Sequence, residues 1–428
     1  IAYVRYRSPD ESPDRCYGAN FHIWVGLAYE NIQENLGEPE CLVSCGNPIN
    51  VPAKNKYQRE VDLEGNLAFS RFYNSHSNAR GSRIGLNWTH TYGDRIETIS
   101  YEMSSPIYVL LHDEDGGGSY FLKTDGAWFN SARKRDELHD VLDQEGNHAG
   151  WRFRAFKSEQ TKIFDADGRL LEIRNDRTGK NLTIQYAGQV QGDVGFDRIS
   201  AVIANDGRGI SFSYGSDGYI EGISDGNGAS FEYSRDSLGR LVQVQFPDGS
   251  VKTYHYNESS YDSAPTLSTN LTGITDERGV RFATYKYQND VPYETATGDS
   301  QAWLVSDQGN GSWGIATPAG AGQSRSYQNI NGIYRLTSFV EYCAGCQSDS
   351  LIYSYNDDGN VVRTIRNNLY TYYRYNSRGL ERMRRENSFD FGDMKVVETD
   401  WHPSMEVPIE QRLLNSSGIV VSTSNWMY

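Results

Sequence analysis

The sequence has little proline, little cysteine, few positive charges and no long apolar segment. It contains 12 Pro and 5 Cys in 428 residues, and no run approaches the roughly 18 apolar residues that a membrane-spanning helix needs. Proline below the roughly 5% of average proteins disfavours collagen and proline-rich disordered tracts. With 41 Lys and Arg against 56 Asp and Glu, the net charge is −15, which argues against nucleic acid as a partner.

Tyrosine and glycine are abundant instead. The chain has 30 Tyr and 42 Gly, while only 37% of its residues are hydrophobic. Aromatic side chains favour the pleated surface of a sheet, and glycine supplies the positive φ angles of tight turns. This composition predicts an all-β protein built from many hairpins.

Residues 1–40 are interpreted as a separate N-terminal segment. Its apolar residues recur at intervals of three to five, which predicts a short N-terminal helix ending before Gly37. The residues that give this pattern are Trp24, Leu27, Ala28, Ile32 and Leu36. The chain starts at Ile1 without a leader-like pattern and stops on a strand-like one, so we expect a mature or excised fragment with more chain beyond residue 428.

The cysteines are spaced for local pairing. They are Cys16, then Cys41 and Cys45, then Cys343 and Cys346. One or two small disulfide loops in an oxidising compartment would use the two close pairs and leave Cys16 over. The same four thiols could instead form a zinc site if the fold brings them together, and both alternatives stay open.

From Cys45 onward the apolar period changes to two, which predicts a β-rich domain over residues 41–150. One predicted strand has alternate positions on a common face, namely Leu67, Phe69, Arg71 and Tyr73. Two further apolar runs, 107–111 and 119–122, flank the acidic and glycine-rich stretch 113–118. That arrangement predicts a β-hairpin.

Beyond about residue 151 a unit of about 20 residues repeats, in which an aromatic residue is followed four positions later by Gly. Four pairs show this spacing, namely Phe164 and Gly168, Tyr214 and Gly218, Tyr355 and Gly359, and Tyr375 and Gly379. A looser copy, with two more residues between the aromatic residue and the glycine, runs from Tyr233 to Gly239. A unit of this length forms a hairpin that is barely stable alone but stable beside copies of itself. The repeats therefore predict one long antiparallel sheet that twists and curls.

The repeat region is expected to span residues 151–380. The segment near 288–340 is rich in Gly, Ser, Ala and Asn, and it is interpreted as an insertion or long loop. Residues 381–428 are expected to form C-terminal strands.

Motifs for catalysis or ligand binding are weak. The stretch 309–314 matches a dinucleotide fingerprint, but no helix can easily follow it, so a flexible glycine loop is the better interpretation. Carboxylates at 113–115 and in Asp165 and Asp167 could ligate Ca²⁺, although a solvated turn is favoured. His90 is interpreted as structural rather than as a ligand or base. The basic cluster is interpreted as a solvated face and consists of Arg378, Arg382, Arg384 and Arg385.

These repeats resemble the RHS/YD-repeat family, whose unit is Tyr-Asp-x-x-Gly-Arg-Leu. The copies are imperfect and run 164–170, 237–241 and 355–361. Upstream, the stretches 46–50, 55–57, 71–75 and 87–92 resemble the domain that commonly precedes the repeats in bacterial members. One departure is Ala53-Lys54, where that domain usually has Thr-Gly, so the turn there is expected to differ.

The resemblance implies a secreted or surface-exposed bacterial protein whose repeats spiral into a β-sheet shell, in many members around a toxin domain. We therefore expect a non-enzymatic scaffold without cofactors, belonging to a toxin-delivery or contact system, with an enclosed toxin domain or other protein as partner. The alternative is an adhesin that binds glycans or a protein and self-associates through sheet edges. A glycan-processing enzyme has the least support.

Overall fold

The computed structural model describes residues 35–39, 44–45, 48–77, 82–102, 105–130, 136–155, 160–175, 177–298, 302–342, 348–386, 394–403, 405 and 407–427. All of them lie in one compact unit, Asn31–Tyr428. The predicted helix over residues 24–36 falls almost entirely outside the described residues, and so do Cys16, Cys41, Cys343 and Cys346.

Every regular element of the described residues is a β-strand, which confirms the predicted all-β class. No helix in this part of the chain is long and apolar enough to cross a membrane. The strands form three sheets.

The first two sheets form what we call the upstream module, strands β1–β9. The first sheet contains β1 (Ser44–Cys45), β2 (Ile49–Asn50), β3 (Asn55–Leu63), β4 (Phe69–Asn74) and β5 (Trp88–His90). The second contains β6 (Arg95–Glu102), β7 (Ser105–His112), β8 (Gly118–Thr124) and β9 (Ala127–Phe129). The predicted hairpin around 113–118 is confirmed as the β7–β8 turn.

The third sheet, the long sheet, has 26 strands whose order follows the chain. Its pairs are antiparallel except β21 with β23, and β20 also pairs directly with β22. The strands are β10 (Glu137–Leu142), β11 (His148–Ala155), β12 (Gln160–Asp165), β13 (Leu170–Asn175), β14 (Lys180–Tyr186), β15 (Ile199–Ala204), β16 (Gly209–Tyr214), β17 (Ile220–Ser224), β18 (Ser230–Arg235), β19 (Leu241–Gln245), β20 (Val251–Tyr256), β21 (Asp262–Ser263), β22 (Leu271–Thr275), β23 (Arg281–Gln288), β24 (Val291–Thr297), β25 (Trp303–Gly309), β26 (Ser312–Ala316), β27 (Gly322–Ile330), β28 (Ile333–Tyr342), β29 (Asp349–Tyr355), β30 (Val361–Arg366), β31 (Leu369–Tyr375), β32 (Glu381–Glu386), β33 (Lys395–Trp401), β34 (Pro408–Leu414) and β35 (Val420–Asn425).

Two expectations about the organisation of the chain differ from these elements. The segment 288–340 contains strands β24–β28 of the long sheet, so it is not a long loop, while its interpretation as an insertion into the repeats stays a prediction. Short strands joined by glycine-rich turns give the composition that suggested a loop. The long sheet also begins at Glu137, so the boundary expected near residue 150 falls inside β11.

A recurrent turn explains the repeated glycines. In the copy that starts at Asp165, one carboxylate oxygen accepts the N–H groups of Asp167 and Arg169 at 3.1 and 2.8 Å. Gly168 donates its N–H to the carbonyl of Asp165 at 2.9 Å and has a φ of 81°. Non-glycine residues adopt that φ only at a cost, which is why Gly recurs there. The corresponding glycines Gly218, Gly239, Gly359 and Gly379 also have positive φ.

The repeated tyrosines link each repeat to the one before it. The strand β14 bulges between Gln185 and Tyr186, and the Tyr186 hydroxyl donates to the carbonyl of Leu170 at 3.0 Å. Leu170 is the aliphatic residue two positions after Gly168. We call this bond the tyrosine rung. The other rungs join Tyr214 to Ile199, Tyr256 to Leu241, Tyr355 to Leu336 and Tyr375 to Val361.

The long sheet is curled around the upstream module. At about 4.8 Å per strand, β12 to β28 would span roughly 70 Å if flat, whereas the nine residues of β3 span about 30 Å. Yet the module contacts Lys162 on β12 and Tyr285 on β23, and Ile49 of β2 shares a buried cluster with Leu336 on β28. Apolar side chains from both parts fill one large buried cluster, which includes Phe69, Phe164 and Tyr254. A smaller cluster joins Ile49 and Val51 to β25–β28.

We predict that Gly168→Ala destabilises the protein far more than Gly249→Ala. Both glycines have a φ near 80°, so each substitution costs about 1–2 kcal/mol for the left-handed backbone. A Cβ at residue 168 would also overlap the carbonyl oxygen of Ile96, whereas nothing lies near one at residue 249. Urea unfolding should show a loss for Gly168→Ala at least twice that for Gly249→Ala. Equal losses would contradict the role assigned to this turn.

Candidate functional site

The strand β4 of the upstream module carries a fully buried arginine, Arg71. Alternation places Phe69, Arg71 and Tyr73 on one face, and all three have 0% exposure. An isolated buried guanidinium is very costly unless every donor is satisfied. Arg71 was expected on this face from its spacing, but not as a buried charge.

Arg71 is satisfied from both sides of the interface between the module and the long sheet. Its Nε and Nη2 donate to the two carboxylate oxygens of Asp62 at 2.7 and 2.9 Å. Its Nη1 donates to the Tyr254 hydroxyl at 2.9 Å, and the Tyr233 hydroxyl donates to Asp62 at 2.7 Å. The guanidinium lies 5.4 Å from the ring centroids of Trp88 and Tyr254. Burial opposes the charge, but Asp62 raises the pKa of Arg71, so the guanidinium group stays ionised.

A second buried basic side chain lies on β3. Lys56 has 0% exposure and lies 4.2 Å from the ring centroid of Tyr285 on β23. Its Nζ donates to the carbonyl of Tyr57 and to Gln58 Oε1, and Gln58 Oε1 also accepts the Tyr285 hydroxyl at 2.9 Å. Burial lowers the pKa of Lys56, and Glu60 counteracts this.

Aromatic hydroxyl and indole groups complete the interface. The Tyr73 hydroxyl donates to the carbonyl of Thr269 at 2.7 Å and accepts the N–H of Leu271 at 3.0 Å. Trp88 Nε1 donates to the Tyr256 hydroxyl at 2.9 Å. Because Tyr256 also makes a tyrosine rung, this indole joins the module to the repeat framework directly.

A buried ion pair anchors the module to β12. Lys162 Nζ lies 2.5 Å from Asp94 Oδ1, and the two side chains have 8% and 0% exposure. Burial raises the pKa of Asp94 from 3.8 to about 6, assisted by Asp113 and Asp115, although Lys162 opposes the shift. This pair is therefore sensitive to mildly acidic pH.

The motifs considered for chemistry have structural roles. His90 is 3% exposed, stacks 5.4 Å from Phe69, and burial lowers its pKa to about 4, so it is neutral near pH 7. The stretch 309–314 is the tight β25–β26 hairpin rather than a flexible loop. Asp165 accepts its own turn's N–H groups and pairs with Arg169 at 2.7 Å. Within the part of the chain that the structure describes, no group of three His, Cys, Asp or Glu residues could hold a metal ion.

The turn at Ala53-Lys54 forms without the glycine that the resembling domain usually has there. Lys54 adopts a φ of 55° at the position where glycine was expected. Its ammonium group lies 3.5 Å from Asp307 and 5.6 Å from the Trp313 ring centroid, both on the long sheet. The side chain therefore gains contacts that a glycine could not make.

The basic cluster does not form one surface. Arg384 pairs with Tyr373 on the neighbouring strand, and Arg385 pairs with Tyr372, so successive arginines lie on opposite faces. Arg384 lies 3.1 Å from Glu386. Arg378 donates to the carbonyl of His402 at 2.5 Å. The interpretation as a single solvated face is wrong because strand alternation separates its members.

The face that the module covers continues uncovered into the last strands. Tyr353 on β29 packs against the smaller buried cluster, and in the described residues neither cluster extends beyond β29. Cross-strand pairing carries this face from Tyr353 to Thr364, then to Thr371, and along β31 to Tyr373. These residues are only partly buried, and every residue of β35 is exposed, although Val397 and Thr399 of β33 lie on the same face and are buried. We call this surface the uncovered face.

Sequence reasoning missed the buried charges that join the two parts. Alternation alone put Arg71 with Phe69 and Tyr73, and that is the one signal that could have indicated its burial. Nothing in the sequence pairs Asp94 with Lys162 or Asp62 with Tyr233, because their partners lie 68 and 171 residues away. The roles of Cys41, Cys45, Cys343 and Cys346 stay predictions.

Comparison with known proteins gives one family match. Residues 46–121 match a family described as a domain of unknown function, DUF6531. This range lies within the predicted β-rich domain 41–150. A comparison with curated proteins found no match.

Among solved structures, the chain is similar to three crystal structures described as TcdB2-TccC3, TcdB2-TccC3-Cdc42 and TcdB2-TccC3-TEV. The identities are 10%, 10% and 9%, with TM-scores of 0.32, 0.31 and 0.28. The matches cover 87%, 81% and 84% of this chain and 25%, 23% and 22% of the other chains. This chain thus spans about a quarter of the length of the chains that it matches.

We predict that Arg71→Leu lowers the free energy of unfolding by about 3–5 kcal/mol, because it leaves Asp62 buried without its cation. Urea unfolding would measure this. The double variant Asp62→Leu with Arg71→Leu should recover part of the loss, since no unpaired carboxylate remains. Arg208→Leu is the control, because its pair with Asp206 is exposed and should matter little. A loss no larger than that of the control would refute the assigned role.

We predict that Lys162→Met destabilises the protein more at pH 8 than at pH 5. A carboxyl group whose pKa is raised on folding contributes stability below its ordinary pKa and loses it as pH rises through the folded value. With Lys162 present, Asp94 loses this stabilising contribution between pH 3.8 and about 6. Without the Lys162 cation the folded-state pKa of Asp94 rises, so the upper limit of this pH range rises as well. The loss should be about 3–5 kcal/mol at pH 8 and clearly smaller at pH 5. A pH-independent loss, measured by urea unfolding, would contradict this.

Proposed function

We propose that this protein is a non-enzymatic structural scaffold, a section of β-sheet wall that holds other protein segments against one face. The observation that carries the proposal is the continuity of that face. Over β12–β28 it holds the upstream module through buried charges and rings. Over β30–β32 the residues of the same face are only partly buried, on β33 Val397 and Thr399 are buried, and β35 is exposed. One face of the sheet thus has a section that packs against the module, which we call the filled section, and a section that the module does not contact.

The chemistry of the filled section supports holding rather than catalysis. The charged groups in it are buried and hydrogen bonded, as in Arg71 with Asp62, which suits a permanent contact. The resemblance to RHS/YD-repeat proteins adds the expected setting, a secreted or surface-exposed bacterial protein in a toxin-delivery or contact system. The partner proposed for the uncovered face is a protein segment, since partly exposed tyrosines such as Tyr353 and Tyr373 suit protein contacts.

We predict that a photo-crosslinking residue at Tyr353 or Tyr373 links to a protein segment when the complete gene is expressed in its own host. Both side chains lie on the uncovered face. The matched control is Ile352, the exposed neighbour of Tyr353 on the opposite face of β29. Mass spectrometry of the linked product would identify the segment. Equal linking from Ile352, or none from Tyr353 and Tyr373, would overturn the scaffold proposal.

A second candidate function, a glycan-binding or protein-binding module, is favoured by a different observation. Tyr370 and Tyr372 are 37% and 39% exposed on the opposite face of β31. Their rings are nearly parallel, at 12°, with centroids 6.4 Å apart. Aromatic rings fixed on a sheet surface offer flat apolar area with a polar tip.

A further inference from the structure

The opposite face of β30–β33 carries a cross of cations and aromatic rings centred on Tyr372. Along β31, Tyr370, Tyr372 and Arg374 alternate with the residues of the uncovered face. Across the strands, Tyr372 pairs with Arg363 on β30 and with Arg385 on β32. Residues paired directly in antiparallel strands share a face. Three arginines and two tyrosines therefore occupy one surface, which we call the arginine-tyrosine cross.

Among the residues that the structure describes, these three arginines make no ion pair. In the described residues Arg363 donates to the Ser354 hydroxyl at 3.1 Å, and no carboxylate lies within ion-pair distance of Arg363, Arg374 or Arg385. The nearest acid in register is Glu398, which pairs with Met383 in the ladder and lies 3.4 Å from Arg412. Arg385 Nε donates to Met394 Sδ. Guanidinium groups without a carboxylate partner in the described residues are unexpected in a chain of net charge −15.

A shallow depression adjoins the cross. It has a volume of about 280 Å³ and is lined by Arg374, Met383, Arg385, Met394, Val396, Asn415, Ser416 and Gly418. Two guanidinium groups thus border a floor of thioether and aliphatic side chains. The combination suits a ligand that has an apolar ring face and an anionic substituent.

We propose that the arginine-tyrosine cross binds a short acidic oligosaccharide. A sugar ring would lie against Tyr372, while its carboxylate or sulfate would receive paired N–H donors from Arg374 or Arg385. Guanidinium groups bind carboxylates bidentately, which fixes the orientation of the ligand. Arg363 and Arg385 are two strand spacings apart, about 10 Å. A second anionic group of the same ligand can therefore bind Arg363 while the first binds Arg385.

Other anionic ligands fit this surface less well. A long polyanion would be repelled by the net negative charge of the chain. An acidic peptide binds readily by adding a strand to an open sheet edge, but the cross lies on a sheet face, and β34 and β35 separate β33 from the end of the sheet. This inference gives the second candidate function a site and a ligand class, and it does not depend on the scaffold proposal.

The experiment is calorimetric titration with sialyllactose, which carries one carboxylate, and with neutral lactose. Saturable binding of sialyllactose and at least about tenfold weaker binding of lactose are expected. Higher salt should weaken the sialyllactose affinity, since the contact includes exposed charges. An array of sulfated and carboxylated oligosaccharides would extend the search to other acidic sugars.

The strands supply matched controls. Tyr372→Ala and Arg385→Gln should each weaken binding about tenfold or more. Two control variants should leave affinity unchanged. Tyr342→Ala removes an exposed tyrosine of β28, and Arg384→Gln changes the neighbour of Arg385 on the other face of β32. Thermal unfolding of all four variants would show that they remain folded.

Three outcomes would overturn the proposal. The first is the absence of saturable binding by sialyllactose and by every acidic oligosaccharide of the array. The second is equal loss of affinity in both pairs of variants. The third is binding of an oligo-glutamate peptide, but of no acidic sugar, with the same dependence on Arg385. None of these results bears on crosslinking at Tyr353 or Tyr373, so the two proposals fail separately.

Discussion

A buried guanidinium group must be hydrogen bonded on every side, and Arg71 meets this requirement only where the upstream module and the long sheet are joined. Asp62 comes from the module, while Tyr233 and Tyr254 come from β18 and β20. If the two parts separated, the charge would have to be rehydrated and the aromatic rings exposed. The hydrogen bonds of Arg71 and its contact with the Trp88 ring therefore hold the module against β18 and β20.

Two kinds of contact act at different ranges. Turns built on Asp or Asn and the tyrosine rungs are local, since each connects residues of adjacent repeats. The contacts of Arg71, Lys56 and Lys162 are long-range and connect the module to distant strands. The local contacts give the hairpins a common turn and a common link to the preceding hairpin. The long-range contacts determine which hairpin packs against which part of the module.

This difference explains how far the sequence could be interpreted. The spacing of Tyr214 and Gly218, or of Tyr375 and Gly379, predicted hairpins in one long sheet because the turn and rung depend on neighbouring residues. The loop interpretation of 288–340 was wrong because β24–β28 use the same short strands without the repeated aromatic-to-glycine spacing. Likewise Arg363, Tyr372 and Arg385 come from three strands, and only the register of those strands brings them onto one surface.

The tyrosine rung has a direction, because in each case the hydroxyl of the later repeat reaches the carbonyl of the earlier one. A chain synthesised or exported from its amino end therefore presents an acceptor before its donor exists. A truncation from the carboxyl end therefore removes donors and leaves every earlier rung complete, whereas a truncation from the amino end removes acceptors first.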